Sequence, residues 1–291
     1  MRVTENMRYA SVTNNLSTVT SRQAKAAQVA QTGIRVNAPS DDPIAAAELA
    51  RLSASQTQIS ARRSTISSVR GDAELAETQL QSASDLLATA KELAMQGANG
   101  TINAEQRTTL AGQIKDLKEA LVGLANTKGS AGYLFGGLQT QNRPFSNSGA
   151  FSGDDGSHLV DIGNSTPTAV NASGAKAFTV AGGRDVFADL DTLYTALNGN
   201  DVAGVAASLD NLDASRAQIT QAQSAAGTMI NRLDASDAVL SAANLQTQKS
   251  TQEVGAADPV QAFSNLTQLN NSLQQAVSVA KTMLDISASW R

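Results

Sequence analysis

The stretch TGIRVNAPSDDP, residues 32–43, separates two long runs rich in Ala, Ser, Thr and Gln. Gly33 stands where a helix C-terminus calls for a left-handed residue, which glycine supplies because it has no Cβ to clash. Ile34, Val36 and Ala38 alternate with Arg35 and Asn37, a period of two that predicts an extended linker. Asp42 then offers a carboxylate to the unpaired N–H groups of a following helix. Pro43 fits the first helical position, where its missing N–H costs nothing. Asp41 adds negative charge facing the positive helix end. A metal site could also use two acids, but helix capping accounts for both without an ion. The twelve residues therefore predict helix, linker, helix. Gly33, Arg35, Asn37, Pro39, Asp41, Asp42 and Pro43 shape the junction, and Arg35 and Asp41 are its candidate contacts to a neighbouring subunit.

Outward from the linker, the apolar spacing is helical on both sides. Before it, Val12, Leu16, Val19, Gln23, Ala26 and Ala30 alternate steps of four and three, the stripe of a heptad helix over about 4–31. After it, a run from Leu52 through Ser55, Ile59, Ile66, Leu80 and Leu87 to Ala94 predicts one helix over about 44–97, roughly 80 Å long at 1.5 Å per residue. GANGTIN (97–103) breaks that helix. Asn103 with Gln106 has the form of a capping pair and opens a third helix, with its seam at Leu110, Ile114, Leu117, Leu121 and Leu124.

Between about 129 and 183 the glycine, serine and asparagine content rises, and YLFGGL, HLVDI, TAV and AFTVA predict short strands joined by turns. Val186, Phe187, Leu190, Leu193, Tyr194 and Leu197 then predict a short amphipathic helix ended by Asn198–Gly199. A second long helix is expected over about 201–254, with its seam running from Val205 to Ala243. Asp258–Pro259 repeats the Asp-Pro start. The last helix carries a seam of Ala262, Leu266, Leu269, Leu273, Ala276, Ala280 and Met283, with Phe263, Val277 and Leu284 in an adjacent row.

The order is palindromic: helix, Asp-Pro break, long helix, variable middle, long helix, Asp-Pro break, helix. The expected fold class is mainly α, a long antiparallel helical coiled-coil rod with both termini at one end and a small β-rich insertion in the middle. The expected divisions are terminal coiled-coil helices over 1–32 and 259–291, a linker over 33–43, a helical rod over 44–130 and 184–258, and the insertion over 131–183. Backbone entropy makes each terminal helix unstable alone, since about eight Val-, Leu- and Ala-sized groups cannot offset the ordering of about thirty residues. The terminal seams, with Val12, Leu16, Val19, Leu266, Leu269, Leu273, Ala280 and Met283 as their main members, are therefore expected to order on assembly with other subunits.

Composition narrows the possible functions. Aromatics make up only 3% of residues, which suits helices packed along narrow seams better than one large core. A formal charge of -4, with Arg62–Arg63 the only adjacent basic pair, argues against nucleic-acid and anionic-membrane surfaces. The absence of cysteine excludes disulfides, thiolate metal sites and thiol nucleophiles. No apolar run approaches the roughly 18–20 residues of a membrane span, and MRVTENMRYASVTNNLSTVTSRQ lacks the apolar core of a cleavable signal. That fits either a cytoplasmic protein or export by a route that reads a polar N-terminus. The single histidine, His158, lies in GDDGSHLVD, a turn with exposed acids that does not follow the calcium-loop spacing. No phosphate-cradling GK[ST] and no G-x-S-x-G element is present. Catalytic, cofactor and metal sites are therefore not expected.

With these residues in view, TGIRVNAPSDDP behind a polar heptad helix resembles the flagellin superfamily. There, a stretch of the form TG-x-R-[IV]-x-x-x-x-DD joins the terminal helix to the long helix of the next domain. The ending from Pro39 to Pro43, PSDDP, is similar to the hook–filament junction branch, whereas filament flagellins usually read KDDAAG. GYLFGGLQTQNRPF (132–145), RDVFADLDTLYTALNGND (184–201) and the C-terminal stretch from Asp258 are similar to the same branch. The resemblance implies a non-enzymatic structural protein of the bacterial flagellum, exported unfolded by the flagellar type III apparatus without signal cleavage and placed extracellularly. It implies a ring of subunits between the preceding junction protein and flagellin, an inner tube built from both terminal helices, and an export chaperone. A short filament flagellin is the alternative within the superfamily. A chemoreceptor-like signalling coiled coil is the alternative outside it, and the glycine-rich insertion and two Asp-Pro breaks argue against that.

Overall fold

The computed structural model describes residues 5–163 and 167–288. Among them the chain forms seven α-helices: α1 (Glu5–Thr32), α2 (Pro43–Ala98), α3 (Ala104–Ala125), α4 (Gly174–Phe178), α5 (Val186–Asn198), α6 (Val202–Gly255) and α7 (Pro259–Ala288). Two short strands, β1 (Leu159–Val160) and β2 (Thr168–Ala169), pair antiparallel with Leu159 opposite Ala169. The mainly helical fold and the small sheet agree with the expected class. The chain divides into two compact units, one of Met1–Gln58 and Ala243–Arg291, the other of Ile59–Ala242. Both α2 and α6 therefore contribute residues to each.

In the unit of residues 59–242 the expected seams are the buried faces. Leu80, Ala83, Leu87, Ala90 and Ala94 of α2 are sealed from solvent, as are Ile114 and Leu121 of α3 and Val205, Ile219 and Leu233 of α6. Small alanines let the backbones approach closely, and the periodicity finds them because a helix buries residues three and four apart. Salt bridges fix the antiparallel register of α2 and α6: Arg63 with Asp237 at 2.8 Å, Arg70 with Asp234 at 2.9 Å and Lys91 with Asp213 at 2.7 Å. Each step forward along α2 is a step back along α6.

The break after α2 is held by a buried arginine. Arg107, only 4% exposed, donates from Nε to the Gly97 carbonyl and from Nη2 to the Asn99 carbonyl, both at 2.8 Å, and from Nη1 to the Asn200 side chain. The last carbonyls of a helix lack intrahelical partners and carry its negative dipole end, so a cation there satisfies both. Asn103 and Gln106 form the expected reciprocal capping box at the start of α3.

The middle region departs from the expected strands. YLFGGL folds as tight turns, with one isolated bridge between Lys128 and Tyr133, and AFTVA forms the end of α4 and a 3-10 turn over Val180–Gly182. The reason is aromatic packing. Phe135, Phe145 and Phe178 are fully buried and Phe187 nearly so. Phe145 meets Phe151, Phe178 and Phe187 at centroid distances of 5.0, 5.5 and 5.4 Å. Turns that aim these rings inward win over a regular ladder, since each ring buries far more apolar area than a strand residue exposes. Gln218 staples the segment to α6. Its Nε2 lies 3.0–3.2 Å from the carbonyls of Ala177, Thr179 and Arg184, and its Oε1 accepts the Arg184 N–H. Buried Asp189 accepts from both Arg184 and Ser215.

Phe178→Ala is expected to destabilise this unit by about 3–5 kcal/mol in urea unfolding. Phe263→Ala, whose ring is 58% exposed on α7, should change stability by less than about 0.5 kcal/mol.

Candidate assembly site

The site is built in the other unit, from α1, the linker and α7. Gly33 ends α1 at φ 69° and donates its N–H to the Val29 carbonyl at 2.9 Å, the left-handed cap expected from the sequence. Asp42 accepts the Ala45 N–H at 3.0 Å and Pro43 opens α2. Asp258 accepts from Val260 and Gln261 just ahead of Pro259. Both Asp-Pro pairs are thus helix caps.

Between the caps the linker is extended only at its start. The Arg35 N–H donates to the Gly255 carbonyl and the Ala257 N–H to the Gly33 carbonyl, both at 2.8 Å, an antiparallel bridge centred on Ile34 and Ala256. After Arg35 the chain turns instead of continuing extended. The Asn37 side chain donates to the Ile34 carbonyl at 2.9 Å, and Asp41 gathers the N–H groups of Asn37 and Ala38 at 3.2 and 3.0 Å. Pro39 lies inside this turn, where no N–H is required of it. The carboxylate curls the linker because it offers better acceptors than solvent to amides that no strand partner claims.

Arg35 and Asp41 both have partners within the chain. Arg35 donates to Asp42 at 3.0 Å and to the Val254 carbonyl at 3.0 Å, and Lys25 donates to Asp41 at 3.2 Å. The Lys25 ammonium and the two linker amides hold the Asp41 carboxyl below its ordinary range. The Ala45 N–H, then Arg35, does the same for Asp42. Sequence reasoning missed Lys25, which stands seven residues before the end of α1 and meets Asp41 only because the linker turns back. The Asp-Pro repeat was legible, but not that a branched aliphatic, Ile44 or Val260, follows each proline at the surface. Ile44 and Val260 are 85% and 78% exposed, so each cap presents a branched aliphatic side chain to solvent.

Helices α1 and α7 lie antiparallel, with Gln23 donating to Asn270 at 3.1 Å. Val12, Leu16, Val19, Gln23, Ala26 and Ala30 form the half-buried face of α1. On α7, Ala262 and Ala280 are buried and Leu266, Leu269, Leu273 and Ala276 half-buried. Met283, expected in that seam, is instead 51% exposed. The register set by Gln23 and Asn270 places it opposite the first turns of α1, where Met7 and Tyr9 are themselves exposed. Phe263 and Val277 also face solvent, and the Leu284 side chain lies outside the described residues. Ser55, expected in the α2 seam, is exposed, and Gln56 takes the inward place. The described residues hold no cluster of His, Asp or Glu suited to a metal, and no described helix is long and apolar enough to cross a membrane.

The paired terminal helices and the capped linker define a class of mainly helical protein in which the two ends of the chain pack together, and comparison with known proteins identifies the family. The family model for the bacterial flagellin N-terminal helical region matches residues 3–140. Flagellar hook-associated protein 3 of Salmonella typhimurium is 30% identical over 223 residues, covering 69% of each chain. The Escherichia coli protein of the same name is 30% identical over 260 residues, covering 80% of this chain and 81% of its own. In fold, the chain is similar to a candidate hook-associated protein from Vibrio parahaemolyticus, with a TM-score of 0.69 at 24% identity over 74% of this chain and all of the other. The chain belongs to the flagellar hook-associated protein 3 family. It is a structural flagellar protein, not an enzyme.

The linker should loosen on acidification. A carboxyl whose pKa is lowered by folding contributes stability that is present above its unfolded value, about 4, and lost as pH falls through the folded one. NMR titration should place the midpoints of Asp41 and Asp42 below that ordinary value. Amide protection at Ala38 should fall with Asp41, and at Ala45 with Asp42. Gly33→Ala should cost roughly 1–2 kcal/mol at any pH, from the left-handed backbone it imposes on alanine.

Proposed function

We propose that the chain forms the layer of subunits between the preceding hook-associated protein and the flagellin filament. The observation that carries this reading is the one-sided seam of the terminal pair. Apart from buried Ala262 and Ala280 and exposed Met283, the seam residues of α1 and α7 are half-buried rather than sealed. A two-helix pair covers each apolar stripe from one direction only, and a neighbouring subunit covers it from the other. Val12, Leu16, Val19, Leu266, Leu269, Leu273 and Ala280 are the contact seam. In the assembled ring these helices form the inner coiled-coil tube, and the antiparallel rod of α2 and α6 forms the outer wall. Gly33 to Pro43 is the spoke between them.

The relatives named for the hook support the placement, and the PSDDP ending favours it over filament flagellin. The chain reaches its place outside the cell unfolded, through the flagellar export apparatus and with a chaperone on its apolar C-terminal seam. The absence of cysteine suits that passage. Its partners are copies of itself, the preceding hook-associated protein and flagellin.

Deleting the gene should leave hooks intact while flagellin monomers accumulate in the medium. Labelled protein should be confined to the hook–filament junction. Normal filaments in the deletion strain, or label along the filament, would assign the chain to flagellin instead. Leu16→Asp or Leu269→Asp should abolish the junction layer, because a charge in a seam closed on both sides loses its water. Neither substitution should alter unfolding of the unit of residues 59–242.

A further inference from the structure

Asn–Gly occurs twice in the sequence, at Asn99–Gly100 after α2 and at Asn198–Gly199 after α5. An asparagine followed by glycine can lose ammonia when the next backbone nitrogen attacks the side-chain amide carbon. Glycine is the most permissive follower because no Cβ obstructs the approach. The structure treats the two pairs differently. The Gly199 N–H is held as part of the α5 cap and donates to the Thr195 carbonyl at 2.8 Å. The Gly100 N–H has no hydrogen-bond partner among the described residues, and both Asn99 and Gly100 are exposed. The Asn99 Oδ1 accepts from the Thr101 N–H at 3.0 Å and the Thr101 hydroxyl at 2.9 Å, two donors placed on the oxygen where charge develops during attack.

We infer that Asn99–Gly100 is a self-modification site, at which the folded chain converts Asn99 to aspartate or isoaspartate while Asn198 is protected. Hydroxide removes the Gly100 amide proton, and the nitrogen forms a bond to the Asn99 side-chain carbon. The bond from that carbon to Nδ2 breaks and ammonia leaves with a proton from water, closing a five-membered succinimide. Water then adds to either ring carbonyl and reopens the ring. Attack at the former main-chain carbonyl leaves an α-carboxylate there and carries the chain through the side chain, which is isoaspartate. That carbonyl already accepts from Arg107 Nη2 at 2.8 Å. The new negative charge is therefore formed against a buried guanidinium, a charge-assisted pair in place of a neutral hydrogen bond. The product adds a charge and a backbone atom at the turn that ends α2.

The test is peptide mapping by mass spectrometry of the full chain aged at mildly alkaline pH, with isoaspartate detected by enzymatic methyl labelling and released ammonia assayed. Asn99 should deamidate at least about tenfold faster than Asn198 in the folded chain, a difference of about 1.4 kcal/mol in barrier. In urea the two rates should converge. Gly100→Ala should suppress the reaction without affecting the fold, because a Cβ at Gly100 meets nothing within 4 Å and its φ lies outside the left-handed range. Equal rates at both asparagines in the folded chain would overturn the inference. So would an unmodified Asn99 in folded protein whose urea-unfolded control reacts.

Discussion

Two backbone hydrogen bonds, Arg35 to Gly255 and Ala257 to Gly33, fix what the rest of the terminal unit must do. They join the chain leaving α1 to the chain entering α7 in antiparallel register. With Ile34 opposite Ala256, the residues of α1 and α7 that can meet are set by counting away from the bridge. Gln23 finds Asn270, and the two apolar stripes face each other. A shift of one residue would turn each helix by about 100°, carrying most of both stripes away from contact. The caps serve the same register. Asp42 and Asp258 start their helices at fixed positions, and Gly33 ends one, so little freedom remains in where the helices begin.

The parts of this structure legible in the sequence are those governed by local spacing. Val12, Leu16 and Val19 can be picked out because one helix face is a matter of three- and four-residue steps, whatever lies opposite. Asn103 with Gln106 is legible for the same reason, since the capping box closes within four residues. The illegible parts depend on distant partners. Nothing near Gln218 announces that it will hold three carbonyls between Ala177 and Arg184, and nothing near Arg107 announces Asn200. The linker was half legible. Its ends follow residue-type rules, but its middle is bent by one Asp41 oxygen choosing two amides over water. AFTVA was misread because its composition suits a strand, while Phe178 is drawn into a ring cluster that only the fold assembles.

That cluster also qualifies what low aromatic content means. Six phenylalanines are few for this length, yet five of them lie between residues 135 and 187. The scarcity is therefore uneven. The long helices pack by alanine and leucine, whose small or flexible side chains fit a repeating seam, while the irregular segment between α3 and α5 depends on large rings to fill space that no regular element fills. The positions of the phenylalanines, rather than their number, were the available clue.

Charge is arranged with similar economy. In the unit of residues 59–242, Arg63, Arg70, Lys91 and Lys118 stand on α2 and α3, and their acidic partners Asp237, Asp234, Asp213 and Asp191 stand on α6 and α5. These pairs are partly exposed, and each contributes little to stability, about 0–1 kcal/mol. Their value lies in exclusion, because a slipped or parallel pairing would leave several of them unmatched at once, as charged flanking positions do in coiled coils. Among the described residues the terminal pair has no comparable ladder. Its described cross-helix polar contact is the neutral one between Gln23 and Asn270, and its seams are half-open. A helix pair whose register is set at one end and whose face is unfinished is suited to being completed by another copy, because the apolar surface still exposed is what a neighbour can remove from water.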